Sequence, residues 1–559
     1  MSAKLRVGLL MDSLELWAWE WSLLKRIMES NYAELSLIVL SGDARSGTGR
    51  HTKLTAKWSI ALYRPVTWIL QAIYRMLEAK IECECDAFTV VDGRSLLADI
   101  PILKTTPINA EQTACFSAGD LDRIGTFRLD VLFPLALREL RGDIATAAKY
   151  GVWFFSSADY ESEQGAPPGF WEVYFGWPSS AMVLRTLNND SRPRRVLARS
   201  VSATNRFSVK LNRSSVYWKM SSILPRELEH LHRVGERTFF DLVERKNGHS
   251  ILDAPHFLGA PTNVQMAVHI VRNLRHRVRD LLGRNLTVPQ WILSCHFGEG
   301  LSTAVSQFQK IVPPKDRYWA DPNVVRRHDK YYVFVEEHMF DSPKAHISVL
   351  EIDRCGRYND SIKVLERDYH LSYPFVVEHD GDLFMVPESS ENRTIELYRC
   401  VEFPEKWTFV RNLIEDITAV DPTLLYHEGK WWLFANVVEN PGASPSEELF
   451  LFYADSLLHG EWAAHPLNPI ISDVTRSRPA GPILQIAGKL YRPAQDCSVR
   501  YGYAIRINHI TALSEQEYAE HEVSVIKPGW DASIVATHTL SYAPGLTVID
   551  CLQPRFRIC

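Results

Sequence analysis

A chain of 559 residues is too long for one hydrophobic core, so two or three domains are expected. Its apolar content of 46% and charged content of 23% are those of an ordinary globular protein. The 62 basic and 67 acidic residues leave a net charge of -5. That balance excludes a dedicated nucleic-acid binder, which needs a basic face to displace counterions. The basic clusters at 192–199 and 272–284 read as solvated loop or helix faces.

The nine cysteines have no CxxC spacing and their number is odd, so reduced thiols and a cytoplasmic location are expected. The first twelve residues hold one short apolar run without a signal-peptide pattern. No stretch reaches the roughly 18 apolar residues of a membrane-spanning helix. Residues 68–76 are aromatic and apolar, and Arg64, Arg75 and Lys80 flank them as on an amphipathic helix. Burial against a sheet is the expectation there, with peripheral membrane contact as the alternative.

Along the first half, strand and helix patterns alternate. Residues 5–11 form an apolar run ending at Asp12, with a helical pattern through Ile27. Further apolar strands are predicted at 35–40, 87–91 and 131–135. Such alternation predicts a Rossmann-like parallel sheet covered on both faces. Ligands of these sheets sit at the carboxyl ends of strands, which makes Asp12 a candidate pocket residue. No GxGxxG or P-loop follows the first strand, which disfavours a glycine cradle for nucleotide. Short strands at 200–213, helices through about Val243 and again at 263–282, and a linker at Val288-Pro289 complete this half. The predicted domains are 1–200 (α/β), 201–289 (a small β/helical extension) and 290–559 (all-β).

After Gln290 the texture changes to short aromatic strands, and a repeat appears. Pro322, Pro374, Pro422 and Pro482 each open an apolar strand, followed by a turn and a second aromatic strand. The units recur about every 50 residues, the size of propeller blades. A fifth unit would join 291–295 with 534–548, giving a five-bladed β-propeller, six blades being the alternative. The innermost strands of a propeller line its channel, so equivalent positions converge. Those before the proline are Asp321, Tyr373, Asp421 and Gly481; those fourteen after it are Glu336, Glu388, Asn436 and Asp496. Several carboxylates crowded together could supply the acid and base of glycoside chemistry. Recurrence also fits blade geometry alone, so departures from the repeat are informative. Arg478, Arg492 and Asp496 stand where other units are apolar or uncharged, and such arginines could grip a phosphate or carboxylate. His538 and Asp550 form a candidate acid/base or hydrogen-bonded pair. No metal site is assigned.

Tyr318-Trp-Ala-Asp-Pro, Val333-Phe-Val-Glu, Arg478-Pro-Ala-Gly and Tyr491-Arg-Pro-Ala-Gln-Asp-Cys-Ser with Tyr501-Gly resemble the propeller region at the front of plant glucosamine inositolphosphorylceramide transferases. More distantly, this region resembles the five-bladed propellers of family-43 glycoside hydrolases. The latter resemblance implies that Asp321 is the catalytic base, with Glu388, Asp421 and Asp496 as candidates for the acid and third carboxylate. In the plant transferases the region accompanies a separate glycosyltransferase domain.

Leu129-Asp-Val-Leu-Phe, Lys149-Tyr-Gly-Val-Trp-Phe-Phe and Gly165-Ala-Pro-Pro-Gly-Phe-Trp-Glu-Val resemble the folate-dependent formyltransferase fold around its active site. That family carries Asn and His where this chain has Phe154 and Ser156. A phenylalanine can neither shuttle a proton nor polarise a formyl carbonyl. Ser156, Ser157 and Asp159 remain as polar candidates for a ligand pocket.

The leading expectation is a carbohydrate-active enzyme of glycan or glycolipid synthesis or modification. It would act by glycosyl transfer or glycoside cleavage on a sugar or glycolipid in the propeller channel. One alternative is formyl or acyl transfer to an amino sugar by an altered N-terminal site, and another is a non-catalytic glycan-binding scaffold. No cofactor is assigned; a nucleotide sugar or folate would be the donor under the two enzymatic readings. The oligomeric state is left open.

Overall fold

The computed structural model describes residues 3–41, 64–105, 113–135, 139–140, 142–157, 160–162, 168–187, 195–248 and 256–557. The chain divides into two compact units. One holds residues 1–200, 204–276 and 440–443; the other holds 201–203, 277–439 and 444–559. The stretch 201–289 is thus shared between them rather than folded separately.

In the first unit four strands form a parallel sheet in the order Ile102–Thr105, Ala33–Ser41, Leu5–Met11 and Val131–Pro134. Leu5–Met11 is buried almost throughout, as a parallel strand covered on both faces must be. The helix Ala18–Glu29 turns Leu23, Leu24 and Ile27 inward. Its first turn is closed by Glu20, whose carboxylate accepts the Trp17 N–H at 2.8 Å. The predicted 87–91 strand is only the short Val90–Asp92. The predicted strands at 200–213 end early: Val196–Ala203 is a strand, but from Val209 the chain is helical to Val234. Ser208 caps that helix by accepting from the Leu211 N–H at 3.1 Å. Trp153–Ser157 runs antiparallel to Ser179–Thr186 and carries Phe154 and Ser156.

The second unit is propeller-like: five antiparallel sheets, four of four strands and the third of five, follow one another along the chain. Their innermost strands are Arg317–Arg327, Ser372–His379, Ala419–His427 and Leu484–Ile486, and a fifth sheet is built from both ends of the unit. In that fifth sheet Thr287–Gly298 pairs along its whole length with Gly545–Phe556. The expected linker at Val288-Pro289 is therefore strand, and the closing segment is 545–556 rather than 534–548.

Three of the inner hairpins turn through residue pairs that both have positive φ: Asp380-Gly381, Glu428-Gly429 and Ala487-Gly488. This is the two-residue turn whose twist matches that of the flanking strands. Between neighbouring sheets the apolar side chains interlock, for example Phe375, Phe384 and Leu397 of the second sheet with Trp431, Leu433 and Phe450 of the third.

Candidate functional site

The aligned prolines mark a shared backbone device. Asp321, Tyr373 and Asp421, each just before a proline, have φ of 52°, 44° and 52°, and Gly481 takes the same place at 119°. At the first three the strand register slips, between Ala320 and Asn323, Ser372 and Phe375, and Val420 and Thr423. Each is a bulge that bends the inner strand and re-aims one side chain. Aspartate tolerates the left-handed region, whereas a tyrosine held there is strained, a condition that concentrates at functional sites. At Gly481 any side chain would meet the Leu540 carbonyl oxygen, 2.0 Å from where its Cβ would stand. The later repeat position sits directly across the hairpin: Glu336 pairs with Ala320, Glu388 with Ser372 and Asn436 with Val420. Bulge and acid are therefore two halves of one recurring geometry.

These positions meet in one buried cluster to which all five sheets contribute. On one side lies a triad joining the first sheet to the fifth. His538 Nε2 is 3.2 Å from Asp321 Oδ1, and its Nδ1 is 2.7 Å from Asp550 Oδ2. Asp550 further accepts the backbone N–H groups of Asp321, His538 and Thr539 at 2.9–3.0 Å. Burial works against charge on His538, but the Asp550 and Asp321 carboxylates outweigh it and keep the imidazolium protonated well above its ordinary value. Burial would likewise raise Asp550, yet the imidazolium holds it below the usual carboxylate range. Asp321 differs. Burial pushes its carboxyl up to about 6, against the pull of His538. Trp291 lies over the His538 ring with centroids 4.1 Å apart and fixes its plane.

The ligand-type atoms of Asp321, His538 and Asp550 lie within 4.8 Å of one another, the one such group among the described residues. The imidazolium lies between the two carboxylates and pairs with both, so the group reads as an ion-paired triad.

On the other side Arg478 forks onto Asp421, with Nε 2.6 Å from one oxygen and Nη2 3.1 Å from the other. Gln495 donates to the same carboxylate at 2.8 Å. Glu388 accepts the Asp421 N–H at 3.2 Å and lies 3.7 Å from Arg478 Nη2. The Arg478 guanidinium stacks 4.9 Å from the Tyr501 ring. Tyr373 ties three sheets together: its hydroxyl contacts Thr423 Oγ1 at 2.8 Å and accepts the Gly481 N–H at 2.8 Å. Changing Tyr373 to Phe leaves that buried amide unpaired and is expected to cost about 1–3 kcal/mol, read from urea unfolding. A loss below a few tenths would mean that water replaces the hydroxyl.

Near Asp321, Glu336 accepts from the Tyr318 hydroxyl at 2.9 Å and lies 3.3 Å from His370 Nε2. That contact raises the histidine's pKa, against burial.

Three arginine and acid expectations need correction. The Arg478 fork is spent on Asp421 rather than left open for an anion. Arg492 is buried and binds both oxygens of Glu520 at 2.8 Å, with the Arg476 carbonyl also in reach at 2.6 Å. Asp496 is held by Arg506 through two bonds of 2.6 and 3.0 Å and by Ser498. Arg492 and Asp496 are thus pairs within the fourth sheet, Arg492 reaching the strand Tyr518–Ile526 two places away and Asp496 the adjacent strand Ala504–Leu513. In the first unit Asp12 follows the strand Leu5–Met11 at the carboxyl end of the sheet, and Ser156 has a buried hydroxyl without a hydrogen bond. Asp159 lies outside the described residues. Gln495, Trp291, Tyr318 and His370 were not singled out from sequence. Gln495 and Tyr318 carried a signal there, inside the Tyr491–Ser498 and Tyr318–Pro322 motifs, and Trp291 opened the strand expected to close the fifth unit.

Residues 303–530 match the family described as "Glucosamine inositolphosphorylceramide transferase 1, N-terminal". Glucosamine inositolphosphorylceramide transferase 1 of Oryza sativa subsp. japonica is 34% identical over 209 residues, covering 37% of this chain and 28% of the relative. The Arabidopsis thaliana protein of the same name is also 34% identical, over 37% of this chain and 27% of its own. The chain thus matches less than a third of the length of these curated relatives. Among solved structures, a family 117 glycoside hydrolase from Zobellia galactanivorans aligns with TM-score 0.32 and 12% identity, over 48% of this chain and 91% of its own. An exo-β-1,3-galactanase from Clostridium thermocellum aligns with TM-score 0.33 and 11% identity, over 47% and 62%.

Proposed function

We propose that this chain is a carbohydrate-active enzyme of glycolipid synthesis or modification, with its chemistry at the centre of the propeller-like unit. One observation carries the reading. All five sheets, read as five blades, deliver polar side chains to a single buried cluster, and within it Asp321 is a carboxyl whose proton is lost near neutral pH. A general base works best when its pKa lies near the operating pH. Asp321 takes that role. His538, itself held by Asp550, keeps it in place and offsets its negative charge until it takes the proton from the substrate hydroxyl. Glu336 lies near it as an acidic partner, Glu388 stands beside Asp421 across the cluster, and Tyr318 and Tyr501 offer aromatic surface to a sugar ring. Matching residues 303–530 to the inositolphosphorylceramide transferase region supports a glycolipid or its sugar head as the substrate.

The first unit supports a lesser role. Its parallel sheet and element order suit descent from a formyltransferase-type fold. Phe154 and Ser156 replace the groups that formyl transfer would use, so the donor or partner it binds is not acted on there.

The test follows from charge. With Asp321 ionised in the active form, kcat/KM for sugar turnover rises with pH through about 6 and levels off above it. His538 stays charged across that range and adds no second step. A profile flat from pH 5 to 8 contradicts Asp321 as the base.

A further inference from the structure

Two helical stretches of the first unit are apolar on both faces, the helix Arg64–Ala79 and the part of the helix Asn263–Leu286 that runs up to His276. The helix Arg64–Ala79 turns Leu70 and Tyr74 inward, and the helix Asn263–Leu286 turns Met266 inward, into one cluster with Phe170 and Trp171. Thr67 Oγ1 donates to Asn263 Oδ1 at 2.9 Å, and the Tyr74 and His269 rings lie 5.8 Å apart, so the two helices are direct neighbours. Helix propensity and this inner packing account for both elements. Neither accounts for what lies outside.

On the first helix Val66, Ile69, Ile73 and Met76 repeat at i, i+3, i+7 and i+10, with Trp68 beside them, and all five are exposed. Trp68, at 69% exposure, is the most exposed tryptophan among the described residues. On the second helix Val264, Val268 and Val271 form a similar stripe, with Leu274 beside them. Large exposed apolar patches mark interaction sites. The charges around them share one sign. Arg75, Arg272 and Arg275 are exposed, while the one acid of these two stretches, Glu78, is buried. Glu78 is further engaged, accepting from Ser208 Oγ at 2.7 Å. An apolar stripe with a tryptophan and a wholly basic exposed rim is the make-up of a helix that lies in the headgroup region of an anionic bilayer. A protein partner of matching chemistry would need an acidic apolar groove, and a second copy of this chain would set arginine against arginine. Among the described residues no helix is long and apolar enough to cross a membrane, so contact would be peripheral.

We infer that the paired helices Arg64–Ala79 and Asn263–Leu286 dock this protein on the surface of an anionic lipid bilayer. The outer stripes enter the interface and the arginines meet lipid phosphates and carboxylates. Lipid docking here is independent of the chemistry at the propeller centre, and its failure would leave the pH profile above untouched.

Co-sedimentation of the full chain with vesicles tests it. Phosphatidylcholine vesicles containing phosphatidylserine should pull the protein down at least about tenfold more strongly than phosphatidylcholine alone, and added salt should weaken the binding. The variant Trp68→Glu with Ile69→Glu, and separately Val268→Glu with Val271→Glu, should each lose most of that binding while circular dichroism stays unchanged, because every replaced side chain is exposed. Two results overturn the inference: no binding to vesicles of either composition, or wild-type binding by both variants. Self-association in sedimentation velocity that these same substitutions abolish, without vesicle binding, would assign the face to a second copy instead.

Discussion

Replacing Asp321 with Asn is expected to reduce sugar turnover by at least about a hundredfold while the fold persists, the usual cost of removing a positioned acid or base. Asparagine keeps the size of the side chain and its place on the bulge, and it still meets His538. What it loses is the ability to accept a proton at a pH near 6. The imidazolium retains Asp550, which holds it at 2.7 Å, so the triad is weakened but not emptied. Full unfolding is therefore not expected, and the melting temperature should fall only modestly. Substrate affinity should change little, because the expected loss lies in the proton-transfer step and so in kcat. Activity within threefold of the wild type would move the chemistry away from this residue.

Arg478→Met is expected to be the most destabilising single change in the second unit. Asp421 is only 1% exposed, and with Glu388 beside it the arginine is the one cation these two carboxyl groups share. Removing one member of a buried ion pair strands the other, at a cost of about 3–5 kcal/mol. Burial and Glu388 both push Asp421 up, and Arg478 opposes them. Without the arginine the carboxyl would take up a proton more readily, so the deficit should shrink as the pH is lowered. A second change, Asp421→Asn, should recover part of the loss by removing the stranded charge. Urea unfolding of the single and double variants at neutral and acidic pH measures all three effects. A loss under 1 kcal/mol for Arg478→Met would mean that water or a rearranged Gln495 compensates the pair.

The repeat on proline was legible because a bulge needs a residue able to take positive φ at a fixed place, and that need recurs in each sheet. Asp321, Tyr373, Asp421 and Gly481 could thus be aligned from sequence, and the structure joins them at the centre through Asp550, Gly481 and Arg478. The same logic misled at Arg492 and Asp496. Both are answered by charges on other strands of their own sheet, Glu520 and Arg506. A charged residue does not announce its partner, and cross-strand register had to be known first. His538, Asp550 and the joining of the two ends of the second unit were expected from sequence, but the stacking of Trp291 on His538 was not, because it depends on the exact register of that closure. In the first unit apolar runs located the parallel strands, while the start of the long helix at Val209 was hidden by polar residues that its buried face accepts, Asn212 and Ser214 among them.

The most direct measurement is the crystallographic position of a sugar bound to the full chain. Sugar density at the centre of the propeller-like unit, within hydrogen-bonding distance of Asp321 and beside Glu336 or Glu388, is the predicted result. A sugar bound only in the first unit, with the Asp321–His538–Asp550 triad and the Arg478–Asp421 pair undisturbed, would contradict it.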